Sequence, residues 1–296
     1  MPASLFTALP QGERLLRAFL AYDVVGLQTE GHRHDFLDSV KQVLGLEADA
    51  GGLIATANNK CRAIADPIGI DARGFAATAS RAERSPETRR LLSSLVGRAL
   101  VIGVDRLDYS KGLPHRFTAF GKLLADFPAY RQKVSYLQVA AKSREDVGEY
   151  QALRRELDRK AGNVNGRFAE FDWVPLRYMT RPMSRTTLAG FYRAARVGLV
   201  TPLCDGMNLV AKEFVAAQDQ VDPGVLILSR FAGAAEELTD ALIVNPYDSA
   251  EITEAMHQAL VMPLDERQDR MERLRARVFT TNAENYCRNF LAALAA

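Results

Sequence analysis

Cysteine is scarce in this chain. Cys61, Cys204 and Cys287 are the only three in 296 residues, odd in number and far apart; this excludes a disulfide framework and a cysteine metal knuckle, leaving reduced thiols. The four histidines form no HxxxH pair, so no metal site is expected. No run of eighteen apolar residues occurs, and no basic segment leads into an apolar one at the N-terminus. Neither a membrane span nor an export signal is expected, and the chain reads as cytoplasmic. A formal net charge of +2 creates no field that would gather nucleic acid or an anionic membrane, so any anion must be held by local groups. Absent too are GxxxxGK[ST], a GxGxxG after a first strand and a serine elbow, which argues against P-loop, dinucleotide and serine-hydrolase chemistry.

What remains is ordinary globular material, 48% hydrophobic and 25% charged, enough for two domains of roughly 100 to 150 residues each. Periodicity predicts a helix over 12–20, a strand over 24–27, an amphipathic helix over 31–44 and short strands at 53–57 and 61–65. The polar, Arg-rich stretch 76–96 reads as one helix connecting two domains, with the boundary near Gly97. From Ala99 apolar strands alternate with helices: strands at 99–104, 135–140, 171–176, 197–201, 225–229 and 241–244, and helices up to Asp126 and over 146–161, 186–195 and 209–218. That order implies a doubly wound parallel sheet whose ligand lies beyond the carboxyl ends of the strands. The tail from Ser249 reads as helical with a break at Pro263. The domains expected are 1–96, an N-terminal α/β remnant; 97–275, a Rossmann-like domain; and 276–296, a C-terminal helix that packs back on the N-terminal part.

Two strand-to-helix loops carry chemistry. Val104-Asp105-Arg106-Leu107-Asp108-Tyr109-Ser110-Lys111-Gly112-Leu113-Pro114 combines a planar donor fork in Arg106, a point charge in Lys111 and, at Gly112, a backbone open to close approach where helical N–H groups begin. These are the parts of a diphosphate cradle; the alternative is a pair of solvated charges. In Thr201-Pro202-Leu203-Cys204-Asp205-Gly206-Met207-Asn208-Leu209-Val210-Ala211-Lys212-Glu213, Asn208 is a good N-cap. Asp205 is either a ligand or an ordinary Asp-Gly turn residue. Glu213, flanked by apolar residues, suits the vicinal hydroxyls of a ribose, or else forms a structural ion pair with Lys212 or Arg106. A basic loop and an acidic one in a single sheet suggest a nucleotide-sugar site. Neither loop carries a DxD pair for a metal, so side chains must neutralise a leaving diphosphate, each charge-assisted contact contributing about 1.5 to 3 kcal/mol.

Val104 to Pro114 and Val197 to Gln218, with Ser143-Arg144-Glu145, Gln28-Thr29-Glu30, Pro67-Ile68-Gly69-Ile70 and Leu226 to Ala235, resemble the trehalose-6-phosphate synthase family of retaining glycosyltransferases over nearly the whole chain. The resemblance implies a GT-B-type α/β fold: a complete C-terminal Rossmann-like domain with a doubly wound parallel sheet, plus the remainder of an N-terminal α/β domain. It implies Arg106 and Lys111 as the catalytic cations on the leaving diphosphate. Asp205 and the amides of Gly206, Met207 and Asn208 would hold the donor glucose, with Leu209 and Val210 near the diphosphate, Glu213 on the ribose, Leu188 near the base and Arg144 on the acceptor phosphate. The implied substrates are UDP-glucose and glucose 6-phosphate, joined with retention by a front-face route that requires no metal or other cofactor. Neither nucleic acid nor membrane is an expected partner, and a homo-oligomer is admissible.

Departures from the family pattern qualify this. Cys204 stands where the family usually has Arg, and Lys142 where it has Pro or a small residue. Gly51-Gly52-Leu53 has the letters of the family's donor loop at the wrong place and receives no such role. The donor loop itself, most acceptor contacts and a His beside the reacting sugar are expected upstream, in on the order of 150 residues of an N-terminal domain that this chain lacks. Three functions are therefore open: a trehalose-6-phosphate synthase, a related transferase with another acceptor of the glucosylglycerol-phosphate type, and a non-catalytic nucleotide-sugar-binding remnant or regulatory subunit.

Overall fold

Alternation of apolar strands and helices carries through into the computed structural model, which describes residues 3–141 and 148–295. The chain divides into two compact units, Met1–Gly69 with Thr281–Ala296, and Ile70–Thr280.

The first unit holds α1 (Ala3–Phe6), α2 (Gly12–Phe19), β1 (Val24–Leu27), α3 (Glu30–Leu44), β2 (Leu53–Ala55) and β3 (Lys60–Ala65). Its sheet runs β1-β3-β2, with β1 parallel and β2 antiparallel to β3. Leu16, Leu20, Val40, Ile54 and Cys61 form its core. Thr29 starts α3 by accepting from His32 N at 3.0 Å, and Gly45 ends it at φ +67°, the left-handed turn that satisfies final helix carbonyls.

In the second unit follow α4 (Ala72–Ala82), α5 (Pro86–Leu95), β4 (Ala99–Arg106), α6 (Leu113–Asp126), β5 (Val134–Ala141), α7 (Gly148–Phe168), β6 (Leu176–Met179), α8 (Arg185–Ala194), β7 (Val197–Val200), α9 (Leu209–Ala217), β8 (Val225–Ser229), β9 (Leu242–Val244), α10 (Ser249–Val261) and α11 (Leu264–Thr280). The last helix, α12 (Ala283–Ala295), belongs to the first unit. It packs on β1, where a Cβ on Gly26 would lie 2.9 Å from the Phe290 ring.

The six-stranded sheet has the order β6-β5-β4-β7-β8-β9, every pair parallel. Its central strands are buried on both faces, as a parallel sheet covered by helices requires. From β4 the chain steps outward through β5 to β6, then returns to lay β7 against the other side of β4. The loops after β4 and β7 therefore leave the sheet in opposite directions, and a crevice opens between them.

Three expected elements differ. The single helix over 76–96 is two, α4 and α5. Ser85 Oγ accepts from Thr88 N at 3.2 Å as a new N-cap, and Pro86 follows in the first turn, where its missing N–H costs nothing. The strand over 171–176 is instead β6 at Leu176–Met179. Phe171 points fully into solvent, while the Trp173 indole donates to Val134 O at 3.0 Å. These aromatics belong to a turn bridged between Glu170 and Trp173, and their apolar character imitates a strand. Helix α7 runs to Phe168, beyond Ala161, with open space around Gly162 and Gly166. The packing division falls after Gly69, and residues 70–96 pack in the larger unit. No helix among the described residues is long and apolar enough to cross a membrane.

Candidate functional site

The basic loop is built for close approach. Arg106 ends β4 with its side chain exposed, and it makes no ion pair among the described residues. Asp108 Oδ1 accepts from Ser110 N at 2.9 Å, capping a 3-10 turn over Tyr109–Lys111. Burial works against ionisation of Asp108, yet the Ser110 amide and hydroxyl and the charges of Lys111 and Arg106 hold it below the usual carboxylate range. Gly112 follows at φ +68°, and a Cβ there would lie 2.5 Å from Thr201 O. Glycine is required both by the left-handed backbone and by this contact. Leu203 N donates to Ser110 O at 2.7 Å, which joins the loop after β4 to the loop after β7.

The acidic loop is held from its other side. Asp205 N donates to Phe231 O at 3.1 Å, Gly233 N to Asp205 O at 3.1 Å, and Ala234 N to Met207 O at 2.8 Å. Asn208 sits at φ 80°, and its Oδ1 caps α9 by accepting from Ala211 N at 3.2 Å. Its Nδ2 donates to Asp205 Oδ2 at 2.9 Å. Lys111 Nζ reaches that same oxygen at 2.6 Å. The amides of Gly206, Met207 and Asn208 donate to no protein acceptor among the described residues, and a side chain at Gly206 would meet nothing within 4 Å. Met207 is buried, Leu209 exposed and Val210 half-buried. Unpartnered N–H groups beside the first turn of a helix form an anion and hydroxyl binding edge.

Glu213 is one turn into α9 and half-buried. Burial pushes its carboxyl up, opposed by the Arg185 guanidinium, whose Nε lies 3.6 Å from Oε1. Neither suggested structural partner is used: Lys212 turns away into a buried ion pair with Glu237. Arg185 opens α8 after the Ser184 N-cap, and Leu188, half-buried, lies about one turn further along that helix. Arg144 falls outside the described residues.

The structure thus joins Lys111 with Asp205 and Asn208, and sets Glu213 against α8; Arg106, exposed at the end of β4, acts on Asp108 by its charge. Missed by sequence reasoning was Arg116, fully buried beneath both loops and bonded to Asp105, Thr201 and the Lys111 carbonyl. Its signal was available: a charged residue on the apolar stripe Leu113, Phe117, Phe120, following a charged residue, Asp105, within an otherwise apolar strand. Among the described residues no group of three or more His, Cys, Asp or Glu side chains could hold a metal ion.

Comparison with known proteins gives consistent matches. The family model "Glycosyltransferase family 20" matches residues 2–296. A trehalose-6-phosphate synthase of Sinorhizobium fredii is 45% identical over 295 residues, covering 100% of this chain and 64% of that protein. A solved Burkholderia xenovorans α,α-trehalose-phosphate synthase (UDP-forming), in complex with glucose-6-phosphate, superposes with a TM-score of 0.98 at 43% identity, covering 100% of this chain and 66% of that one. An E. coli structure bound with UDP-2-fluoro glucose superposes at 0.95 and 40% identity, covering 99% and 65%. The chain therefore spans slightly less than two thirds of the length of these relatives. The fold they share with it is GT-B.

Proposed function

The chain belongs to glycosyltransferase family 20, and from that premise we propose that it binds UDP-glucose in the crevice beyond β4 and β7. There it transfers the glucosyl group to glucose 6-phosphate, giving α,α-trehalose 6-phosphate and UDP with retention. The observation that carries the proposal is the meeting of Lys111 and Asp205 at 2.6 Å, with three free amides beside them.

In this proposal Arg106 and Lys111 take the diphosphate, and Leu209 and Val210 present first-turn backbone to it. Asp205, with the amides of Gly206, Met207 and Asn208, takes the glucose hydroxyls. Glu213 accepts from the ribose, Leu188 packs near the base, and Arg144 takes the acceptor phosphate. The bond from the anomeric carbon to the diphosphate oxygen breaks while the acceptor oxygen arrives on the same face, and its proton passes to the departing phosphate. Charge develops on that phosphate, which is where preorganised cations lower the barrier. Two cations at the β4 loop meet it without a metal. Nucleotide sugars and sugar phosphates are cytoplasmic metabolites, and the proposal places the protein there.

Isothermal calorimetry with UDP-glucose tests the donor site, and UDP release in the presence of glucose 6-phosphate or glycerol 3-phosphate tests the reaction and its acceptor. Binding with turnover on glucose 6-phosphate alone is the expected result. Turnover on glycerol 3-phosphate instead would replace the acceptor. Binding without turnover would make the chain a nucleotide-sugar-binding subunit, and no binding would remove the site assignment.

A further inference from the structure

Arg116 is a charged residue on an otherwise apolar helix face. It is fully buried on α6, on the stripe formed by Leu113, Phe117 and Phe120. Its guanidinium donates in three directions. Nε reaches Thr201 Oγ1 at 2.9 Å, one terminal nitrogen reaches the Lys111 carbonyl at 2.9 Å, and the other reaches Asp105 Oδ2 at 2.5 Å. Gln138 Nε2 donates to the same carboxylate at 3.3 Å, and the Tyr136 hydroxyl donates to Gln138 Oε1 at 2.5 Å. Burial pushes the Asp105 carboxyl up, opposed first by the Arg116 charge, then by hydrogen bonds from Arg116 and Gln138 and by the Lys111 charge. One cation is thus bonded to the last residue of the turn that carries Lys111 and to the residue from which the chain leaves β7 toward Asp205.

Stability does not explain such a group, because buried ion pairs replaced by apolar residues of similar volume are often neutral or stabilising. Geometry does. A guanidinium is a rigid planar fork, so groups bonded to its different edges are held at a set separation; an ammonium on a flexible stem imposes no such spacing. Gly112 indicates why the spacing matters, since the two loops meet so closely that a Cβ there would lie 2.5 Å from Thr201 O, inside contact distance. Arg116 bonds the chain on both sides of that contact. Asp105 balances its charge, so the network adds no net charge beneath the place assigned to the diphosphate.

We infer that Arg116, oriented by Asp105, is a positioning residue that sets the β4 and β7 loops in register and so holds Lys111 against Asp205. Its ligand consequence rests on the proposed UDP-glucose site; its structural consequence does not.

Three variants test it: Arg116→Lys, which keeps the charge and loses the fork; the paired Asp105→Leu with Arg116→Met, which removes the buried charges together; and Leu157→Ala, which opens a core cavity on α7 at a residue outside the Arg116 hydrogen-bond network. The readouts are the acetylation rate of Lys111 in the ligand-free chain, followed by mass spectrometry, and UDP-glucose affinity by calorimetry. Lys111 should acetylate about tenfold faster in both Arg116 variants, the equivalent of one lost hydrogen bond, and at the parent rate in Leu157→Ala. UDP-glucose affinity should fall in parallel, and a double-mutant cycle between Lys111→Met and Asp205→Asn should lose its coupling in the Arg116→Lys background. Unchanged Lys111 reactivity in Arg116→Lys, or an equal rise in Leu157→Ala, would overturn the inference. If the parent chain fails to bind UDP-glucose, the functional proposal falls, and the acetylation rates still decide the positioning role. Should the paired variant not fold, Arg116→Lys decides alone.

Discussion

Lys111 Nζ and Asp205 Oδ2 are 2.6 Å apart, the first 14% and the second 18% exposed. Ninety-four residues separate them in sequence, and each is the other's charged partner. A nucleotide sugar would therefore divide the pair, diphosphate against the cation and sugar hydroxyls against the carboxylate. Asp205→Asn releases Lys111 and, on the proposed site, removes its charged sugar contact. It should leave affinity for UDP unchanged or higher, while the preference for UDP-glucose over UDP falls by about 1.5 to 3 kcal/mol. Calorimetry with both ligands measures this. An undiminished preference would take Asp205 out of the sugar site.

Arg106 is exposed and makes no ion pair among the described residues, so little of the fold depends on it. In Arg106→Ala the unfolding free energy should stay within about 0.5 kcal/mol of the parent, while UDP-glucose binding weakens by roughly tenfold to a hundredfold from loss of a charge-assisted contact. A urea titration and a binding isotherm on the same sample separate the two effects. Parent affinity would return Arg106 to the status of a solvated charge.

Gly112 and Gly97 share a positive φ, but only Gly112 meets backbone, since a Cβ at Gly97 has nothing within 4 Å. Gly97→Ala should lower stability by about 1 kcal/mol from conformational strain alone. Gly112→Ala adds a clash with Thr201 O and should lower it further, with loss of donor affinity because both loops must shift. Equal melting temperatures for the two variants would contradict the contact.

Glu213 gives a pH signature. Burial raises its carboxyl and Arg185 only partly offsets that, so the ionised form is disfavoured by folding. The folded state holds the proton more tightly than the unfolded chain. Relative to acid conditions, Glu213 therefore costs stability as pH rises through its raised range. Glu213→Gln should be more stable than the parent at neutral pH, and the difference should vanish below about pH 4, where both states are protonated. Donor affinity should run the other way, weakening as pH falls through that same range because a protonated carboxyl is a poorer acceptor. In Glu213→Gln it should be low and flat. Parallel pH series of denaturant melts and binding isotherms check both signs.

Much of the larger unit was legible from local pattern. The apolar runs at 99–104, 135–140 and 225–229 can be buried only as strands covered on both faces, and the helices between them make the crossovers right for a parallel sheet. Boundaries failed where short-range chemistry overrode composition. Ser85-Pro86 starts a new helix inside a polar helical stretch, and Phe171 and Trp173 look like a strand while occupying a turn.

Sequence by itself determined that a basic loop follows β4 and that an acid with an N-capped helix follows β7, because loop chemistry is set by neighbouring residues. Only the tertiary structure decided that Lys111 and Asp205 touch, that Glu213 faces Arg185 rather than Lys212, and that Arg116 joins the two loops from below. Strand order, which no local pattern contains, brings β4 and β7 side by side. At that adjacency a glycine becomes a geometric requirement, and a buried guanidinium bonds to both loops.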